Sequence, residues 1–495
     1  MQSSRFSALR IIPFYLFLLP LFFVLHGYTE FYGLIPLIES INLAGIYLLA
    51  GLFLFCIGWL LFRNGYKASL FAFLLLAFNF FFGPVHDFLK QTFPGSFISR
   101  YSFILSGAVI LFGICILLLK KVTKLPAQFI FYLNLLFIIL LLFDSFRLVI
   151  KLNTLPLQLS IDLKKEFTPC NDCTKPDIYF IVADGYAGKQ ELKDIFNYDN
   201  SSFENELQKR DFHLIADTKG NYNFTPFIIA SMLNISYLEG LEGSNTSKND
   251  MRICHRLINK NKVLRYFKSE GYEFYNFSIF NIDDQASLAK PTFLATKTRP
   301  ITSQTFLYRI QRDLWYHLVT DFNFQFAKNK VIYRDLKNNN KLTELTMQTV
   351  HNKTLKPKFV YTHLVMPHYP YYFDSTGKEM PYESLYESNM KNKESYISYL
   401  KYCNKKLLEL TDHILKNSKK PPLIILMGDH GFREFETEVD KKYYFMNFNA
   451  VLLPDKNYSG FYNGMSNVNQ FRIILNTEFK QTLPLLKDST SFLRQ

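Results

Sequence analysis

Hydrophobic positions are distributed unevenly along this chain. Up to about residue 150 the sequence is mostly apolar, and five stretches are long enough to cross a hydrocarbon core of roughly 30 Å, which takes about 20 helical residues. The predicted spans are 9–28, 41–62, 68–86, 102–119 and 126–149. The third contains Gly83-Pro84, which is compatible with a kinked or a partly re-entrant helix. The pattern predicts a transmembrane domain over residues 1–150.

The charges that flank these stretches predict their orientation. Lys and Arg precede the first stretch and follow the second and the fourth, at Arg5, Arg10, Arg63, Lys67, Lys120, Lys121 and Lys124. The loop after the first stretch has Glu30 and Glu39 and no basic residue, and only the loop with Lys90 and Arg100 is ambiguous. Because positive residues favour the cytoplasmic side, the N-terminus is expected inside. No small-residue cleavage site follows the first stretch, so we interpret it as a retained helix, and five crossings then export everything after about Leu152.

After residue 150 the pattern becomes that of a soluble protein. Residues 151–175 show no helical periodicity and are interpreted as a linker, and strand-like and helix-like segments alternate over 176–495. This alternation predicts an α/β domain with a largely parallel sheet flanked by helices. The predicted strands are 177–183, 272–277, 358–364, 422–427 and 448–453. The predicted helices are 188–196, 201–210, 226–234, 255–270, 306–318, 340–351, 393–417 and 467–475.

Composition agrees with this division and excludes one class of partner. The 495 residues suggest two or three domains, and the mean hydropathy is only +0.01 although 48% of the residues are hydrophobic. The net charge of +14 divides evenly, with +7 in residues 1–151 and +7 in the remainder. Neither share forms a dense basic stripe, so no nucleic-acid partner is expected.

The cysteines are compatible with export of the second domain. Cys170-Asn-Asp-Cys173 lies in the linker, and a local disulfide is favoured because no second C-x-x-C pair accompanies it. Cys56 and Cys115 fall in predicted spans, and the sequence leaves open whether Cys254 and Cys403 are paired or free.

Two predicted strands end in side chains that suit a metal. The apolar run after Pro176 ends in Asp184, and the run after Pro422 ends in Asp429 and His430. Ligands collect beyond the carboxyl ends of parallel strands, so both carboxylates and the imidazole are expected at one edge of the sheet. The sequence therefore predicts a metal site.

A third segment, Gly220 to Asn234, offers a hydroxyl group. Pro226 is well suited to the first turn of a helix, which makes Thr225 the predicted N-cap. One interpretation is an ordinary capping threonine. The other is a nucleophile that attacks a phosphate or sulfate ester, because a helix N-terminus presents free N–H groups and a positive dipole end to an anion.

A fourth segment contains two histidines just past a predicted strand. His363 ends the strand, and His368 follows between Pro367 and Pro370. This setting favours a functional role for both. The other histidines, namely His26, His86, His213, His255, His317, His351 and His413, are interpreted as structural or surface groups.

Together these segments resemble the sulfatase-like branch of the alkaline phosphatase superfamily, which includes arylsulfatases, lipoteichoic acid synthases and phosphoethanolamine transferases. Asp177-Ile-Tyr-Phe-Ile-Val-Ala-Asp-Gly-Tyr186 and Gly428-Asp-His-Gly431 look like its two metal strands, and Asn221-Tyr-Asn-Phe-Thr-Pro226 looks like its nucleophile segment. His363-Leu-Val-Met-Pro-His368 is similar to its histidine segment, and 468–476 is similar to a helix near its C-terminus. The resemblance covers roughly 176–492.

The resemblance implies a membrane-anchored, metal-dependent transferase or hydrolase. Asp184, Thr225, Asp429 and His430 would bind one divalent metal ion, Zn²⁺ or Mn²⁺ rather than Mg²⁺. Thr225 would also be the nucleophile, and His363 and His368 would face the substrate's anionic group or its leaving oxygen. The expected substrates are phosphoesters of membrane lipid or cell-envelope glycan outside the cytoplasmic membrane.

Departures from the family pattern keep two alternatives open. Sulfatases make formylglycine in a C/S-x-P-x-R context, but Thr225 is followed directly by Pro226 and no Arg stands at Ile229. Sulfate ester hydrolysis is therefore disfavoured. Asp184 stands where the lipid-linked transferases usually have Glu, and no further histidine follows Gly431. The second alternative is a catalytically inactive membrane scaffold of the same fold.

Overall fold

The computed structural model describes residues 11–122, 126–154, 167–238, 246, 248–283, 285–289, 298–320, 332–385 and 389–494. The first five helices are α1 (Tyr15–Glu30), α2 (Leu37–Phe62), α3 (Gly65–Thr92), α4 (Tyr101–Lys121) and α5 (Ala127–Thr154). The later helices are α6 (Lys189–Phe196), α7 (Ser201–Gln208), α8 (Thr225–Leu233), α9 (Lys248–Asn259), α10 (Lys262–Ser269), α11 (Arg299–Thr302), α12 (Phe306–Thr320), α13 (Arg334–Thr349), α14 (Lys393–Asn417) and α15 (Gln470–Phe479). The strands are β1 (Ile178–Ala183), β2 (His213–Leu214), β3 (Glu273–Phe277), β4 (Lys358–Leu364), β5 (Leu423–Gly428) and β6 (Asn449–Leu452).

The chain divides into two compact units. The first comprises Met1–Gln158 and Ala295–Ala327, and the second comprises Leu159–Leu294 and Lys328–Gln495. The prediction placed a helix over 306–318 within the exported domain. That helix forms, as α12, but it belongs to the first unit together with α11.

The first unit is a helical bundle in which four helices of the described chain, α2 to α5, are long and apolar enough to span a membrane. The prediction of five such spans was wrong by one. The first predicted stretch forms α1, which has 16 residues and begins only after Pro13. The residue before a proline is pushed out of the helical region, which accounts for the late start. The third stretch forms one continuous helix through Pro84 rather than a re-entrant one.

Helix α1 packs along α5 through polar contacts as well as apolar ones. Tyr15 donates its backbone N–H to Asn134 Oδ1 at 2.7 Å, and His26 Nδ1 is 3.0 Å from Asp144 Oδ2. Arg147 donates to Glu30 Oε1 at 2.5 Å. Pairing of this kind lowers the free-energy cost of ionisable groups within a bundle. Of the residues used to predict the orientation, Arg5, Arg10 and Lys124 lie outside the described residues, as does 155–166 of the linker.

The second unit is built on a six-stranded sheet with the order β2-β6-β5-β1-β4-β3. The three central strands, β5, β1 and β4, are parallel and completely buried, as expected when helices cover both faces of a sheet. Strand β3 extends the parallel part, whereas β6 and β2 add antiparallel pairs. All five predicted strands are present. The two-residue β2 was missed because it is too short to show a period.

Local detail in the second unit confirms some sequence predictions and corrects others. The helix predicted over 393–417 forms as α14 and buries one apolar face, and Cys170 and Cys173 form the predicted disulfide. Cys254 and Cys403 are free and buried. The single helix predicted over 255–270 is two helices, α9 and α10, because the Asn261 side chain caps the second one by accepting the N–H of Leu264 at 2.8 Å.

Candidate metal centre

The tips of the three central strands bring the predicted chemical groups together. Strand β1 lies between β4 and β5, with Val182 opposite His363 and Ala183 opposite Gly428. Asp184 and Asp429 therefore follow neighbouring strands at the same level, and His363 stands beside them. This is the juxtaposition that the strand pattern predicted.

These side chains form a buried cluster of metal-ligating atoms. Ligand atoms of Asp184, His363 and Asp429 all lie within 4.8 Å of one another. His430 Nε2 is 3.5 Å from Asp184 Oδ1 and 3.4 Å from Asp429 Oδ2. None of the four residues is more than 1% exposed. Two carboxylates and two imidazoles converge on one point.

The hydrogen bonding of the cluster fits a divalent cation. Asp184 Oδ1 and Asp429 Oδ2 are buried without a hydrogen-bond partner in the described part of the chain, a costly arrangement unless a cation occupies the space between them. His430 Nδ1 is 2.6 Å from the carbonyl oxygen of Gly431. A carbonyl oxygen only accepts, so Nδ1 is the donor in that contact, and in the neutral imidazole the Nε2 lone pair then faces the carboxylates. Oxygen and imidazole donors of this kind suit Zn²⁺ or Mn²⁺.

Thr225 lies beside the same imidazole. Its Oγ1 is 3.3 Å from His430 Nε2, and the residue is 2% exposed. The prediction that Thr225 is an N-cap was wrong by one position, since Phe224 is the N-cap residue and Thr225 is the first residue of the helix. The physical reason is that Phe224 has extended backbone angles whereas Thr225 is already helical. The hydroxyl therefore points to the cluster instead of capping α8.

His368 lies at the edge of the cluster rather than inside it. Its backbone N–H donates to the carbonyl of Asp184 at 3.1 Å, and its Nδ1 donates to the carbonyl of Tyr369 at 2.7 Å. The ring lines a small opening beside the cluster together with His430, Tyr369, Tyr371, Tyr396 and Arg433. Of the six predicted site residues, five are in the buried cluster and His368 faces its opening.

Several supporting residues could not be identified from the sequence. Tyr396 donates its hydroxyl to the carbonyl of Gly185 at 2.9 Å and accepts the N–H of Ala187 at 3.0 Å, so it holds the turn after Asp184. Tyr396 also lies on the buried apolar face of α14. Asn467 donates to the carbonyl of Asp429 at 3.2 Å. Tyr396 and Asn467 lie in segments that are apolar or irregular in sequence, and no periodicity distinguishes them from their neighbours.

The charges of the cluster shift the pKa values of its neighbours. Burial by itself would raise the pKa of Asp184, but the adjacent imidazoles of His363 and His430 hold it well below the usual range. Burial, aided by the charges of Asp429 and Asp184, raises the pKa of Tyr361 far above its ordinary value. Tyr361 is therefore a neutral hydroxyl at any physiological pH.

Tyr361 orients one of the candidate ligands, which leads to a prediction. Its hydroxyl is 3.0 Å from His363 Nδ1, which turns His363 Nε2 toward Asp184 Oδ2 at 3.3 Å. Loss of such an orienting contact typically lowers metal affinity about 10- to 100-fold. We expect Tyr361→Phe to weaken Zn²⁺ binding by at least about 10-fold, measured by competition with a fluorescent chelator.

The matched control is Tyr179→Phe. Tyr179 is equally buried on the neighbouring strand, and its hydroxyl has no hydrogen-bond partner among the described residues. This control should leave Zn²⁺ affinity unchanged. An equal loss in both variants would mean that the sheet, not the orientation of His363, governs the affinity.

None of the protein-family models matches this chain, and no curated protein does. Solved structures do. The chain is similar to the C-terminal periplasmic domain of the phosphoethanolamine transferase EptC from Campylobacter jejuni, with 12% identity and a TM-score of 0.38, over 65% of this chain and 95% of that one. It is also similar to the phosphonate monoester hydrolase SpPMH from Silicibacter pomeroyi, with 12% identity, a TM-score of 0.40 and coverage of 64% and 75%.

A third similar structure is a putative sulfatase from Bacteroides thetaiotaomicron VPI-5482, with 13% identity, a TM-score of 0.38 and coverage of 64% and 73%. The fold and the site define an α/β domain with a buried Asp, His and Thr cluster, joined to a membrane-anchoring bundle.

Proposed function

We propose that this protein is a membrane-anchored, metal-dependent phospho-group transferase or hydrolase that uses Thr225 as its nucleophile. Its substrates are phosphoesters of membrane lipid or cell-envelope glycan. The observation that carries the proposal is the Thr225 hydroxyl, 3.3 Å from His430 Nε2 at the start of α8. A threonine hydroxyl that lies at a helix N-terminus and contacts a buried carboxylate and imidazole cluster suits attack on an anionic ester.

The proposed metal ligands are Asp184, Thr225, Asp429 and His430, as the motif resemblance implies. We add His363, because its Nε2 belongs to the same group of donor atoms. A bound divalent cation would lower the pKa of a coordinated hydroxyl and offset the negative charge of a phosphoryl group. Zn²⁺ and Mn²⁺ suit these donors better than Mg²⁺, which prefers oxygen ligands.

Thr225, His368 and the N-terminus of α8 have different roles in the proposed transfer. Thr225 releases its hydroxyl proton to water at the opening of the cluster, and its Oγ forms a bond to phosphorus while the bond from phosphorus to the leaving alcohol breaks. His368, at the opening of the cluster, donates a proton to the leaving oxygen. An acceptor hydroxyl or water then attacks the phospho-threonine, and the threonine hydroxyl is restored. The positive end of α8 stabilises the phosphoryl group in both halves.

Arg433 supplies a further positive charge at the opening. Its guanidinium donates to the carbonyl of Asn223 at 2.7 Å and lies over the Phe224 ring at 5.6 Å. Both contacts hold it beside the start of α8. A guanidinium held there suits a phosphate oxygen.

The decisive observation is the covalent state of Thr225 in protein isolated from cells. We expect mass spectrometry to find a phosphoryl-type group on the peptide that contains Thr225, and the mass of that group names the donor. An unmodified peptide after trapping with slow substrates argues against a phospho-threonine.

Two alternatives make different predictions. A sulfatase would turn over aryl sulfate faster than aryl phosphate or phosphodiester substrates, whereas we expect the reverse order because Thr225 cannot become formylglycine. An inactive scaffold would hold less than about a tenth of an equivalent of metal and gain no thermal stability from Zn²⁺ or Mn²⁺. The burial and convergence of all the proposed ligands favour the enzyme.

The proposed location is the cytoplasmic membrane, with the α/β domain on its periplasmic or extracellular side. Lys67 lies at the start of α3, Lys124 precedes α5, and Lys175 follows α5. The basic residues put the first two on the cytoplasmic side. We expect reporter fusions after Lys67 and Lys124 to behave as cytoplasmic and a fusion after Lys175 to behave as exported. A cytoplasmic signal at Lys175 would contradict the proposed export.

A further inference from the structure

Residues 298–313 form a structured insert within the membrane unit, although the segments on either side of it in sequence belong to the α/β unit. The insert consists of α11, a short connection and the first two turns of α12. Its contacts with the bundle are polar, specific and partly buried. The insert is therefore packed into the bundle and is not a surface loop that only touches it.

An ion pair fixes α12 to the third helix. Arg309 donates through both terminal nitrogens to the two carboxylate oxygens of Asp87, at 2.6 and 2.7 Å. The Arg309 side chain is only 8% exposed. A second contact joins the insert to α4, where Tyr101 donates its hydroxyl to Asp313 at 2.5 Å. A bidentate pair between Arg and a carboxylate, such as that of Arg309 with Asp87, is stronger and more directional than a single neutral hydrogen bond.

Two glycines of the bundle make room for the insert. A Cβ on Gly27 of α1 would lie 2.7 Å from Ile301 Cγ1, and a Cβ on Gly83 of α3 would lie 2.5 Å from the carbonyl oxygen of Gln304. The N–H of Gly83 donates to that carbonyl at 2.8 Å. Close approach of backbones is the reason a helix interface needs glycine.

The insert reaches the apolar part of α3. The Phe306 ring is 5.1 Å from Phe78 and 5.0 Å from Phe82, and the N–H of Leu307 donates to Asn79 Oδ1 at 3.1 Å. Phe78 lies eight residues inside the predicted end of the third span at residue 86, a depth of roughly 12 Å at 1.5 Å per residue. Irregular backbone at such depth requires internal hydrogen-bond partners, and α3 provides them through Gly83 and Asn79.

We propose that residues 299–313 are a re-entrant anchor, a second attachment of the α/β domain to the membrane besides the linker after α5. The proposal rests on the proposed export of that domain. The bundle contacts agree with it, because the insert meets the end of α1, the end of α3 and the start of α4, which lie on one side of the bundle. Its binding partner is the bundle of its own chain.

The test cleaves the linker after α5 and measures whether the insert alone keeps the α/β domain on the membrane. A site for a specific protease is placed between residues 155 and 166 of the full-length protein in native membranes, and the membranes are sedimented after cleavage. We expect the α/β domain to remain with the membranes. Gly83→Leu, which fills the space occupied by Gln304, should release most of it into the supernatant. The matched control is Gly107→Leu on α4, where an added side chain meets nothing within 4 Å.

A second pair of variants keeps the test independent of bundle folding. Arg309→Asp changes only the insert and should also release the domain, and Asp87→Arg in the same chain should restore retention by reversing the ion pair. Release of the wild-type domain on cleavage, or equal retention by Gly83→Leu and Gly107→Leu, would overturn the anchor. Sedimentation requires no catalytic activity, and the reporter at Lys175 measures export separately, so failure of the anchor is distinguishable from failure of the proposed function.

Discussion

Replacing Thr225 with alanine is expected to abolish phosphoester turnover while leaving the fold intact. No other hydroxyl of the described chain contacts His430 Nε2, and loss of a covalent nucleophile lowers turnover by about 10³-fold or more. The stability cost should be small, because Phe224 and not Thr225 is the N-cap residue of α8. Only the contact with His430 is lost, worth about 1 kcal/mol. Rates on phosphodiester and phosphomonoester substrates and a thermal melt measure the two effects.

Two variants serve as controls for the nucleophile. Thr225→Ser keeps a hydroxyl at the start of α8 and should retain measurable turnover. Thr411→Ala removes an equally buried hydroxyl that bonds only within α14, to the carbonyl of Leu408 at 3.0 Å, and should leave turnover unchanged. If Thr225→Ala turned over substrate within a few-fold of wild type, a metal-bound water would be the attacking group and the covalent mechanism would be wrong.

The second large effect is expected from Asp429→Asn, which should remove metal and activity together. Asp429 Oδ2 is a buried carboxylate oxygen without a partner in the described chain, and its charge is what a divalent cation would offset. We expect about one equivalent of Zn²⁺ or Mn²⁺ in the wild-type protein and less than about a tenth in the variant. Metal analysis of the purified full-length protein measures both.

Metal removal gives an independent readout of the same site. A chelator should lower the melting temperature of the wild type, because bound metal stabilises the folded state. The same treatment should leave Asp429→Asn unaffected, since the variant has no metal to lose.

The matched control for this charge is Asp177→Asn. Asp177 precedes the other end of β1, where it accepts the N–H of Lys358 at 2.9 Å. The control should keep its metal. Metal retained by Asp429→Asn would show that Asp429 is not a ligand.

Much of the candidate site was predictable because its residues follow apolar runs. Asp184, Asp429 and His430 stand at the ends of two buried strands, and such strands are recognisable from consecutive apolar residues between Pro and Gly. Parallel strands share an edge, so the convergence of these side chains follows from the strand pattern alone. The motif resemblance then predicted Thr225, His363 and His368 as site residues.

What the sequence could not predict depends on contacts between distant segments. The role of Tyr396 comes from its hydroxyl meeting the turn after Asp184, although the residue lies on an apolar helix face. Thr225 was predicted as an N-cap because local sequence favours that role, and only the backbone angles of Phe224 shift the helix start by one residue. The length of α1 was overestimated because hydropathy averages over Pro13.

The sequence alone predicted a two-part organisation, the strands of the α/β domain and the residues that converge in the candidate metal cluster, because hydrophobic period and strand-end chemistry are local properties. Only the tertiary structure decided that α11 and α12 belong to the membrane unit. Their residues form an ordinary amphipathic pattern. Their position depends on the ion pair between Asp87 and Arg309 and on the absence of a side chain at Gly83, which lets the Gln304 backbone approach. Contacts between residues more than 200 positions apart cannot be read from local sequence. The helix over 306–318 was therefore predicted correctly but was assigned to the α/β domain and not to the first unit.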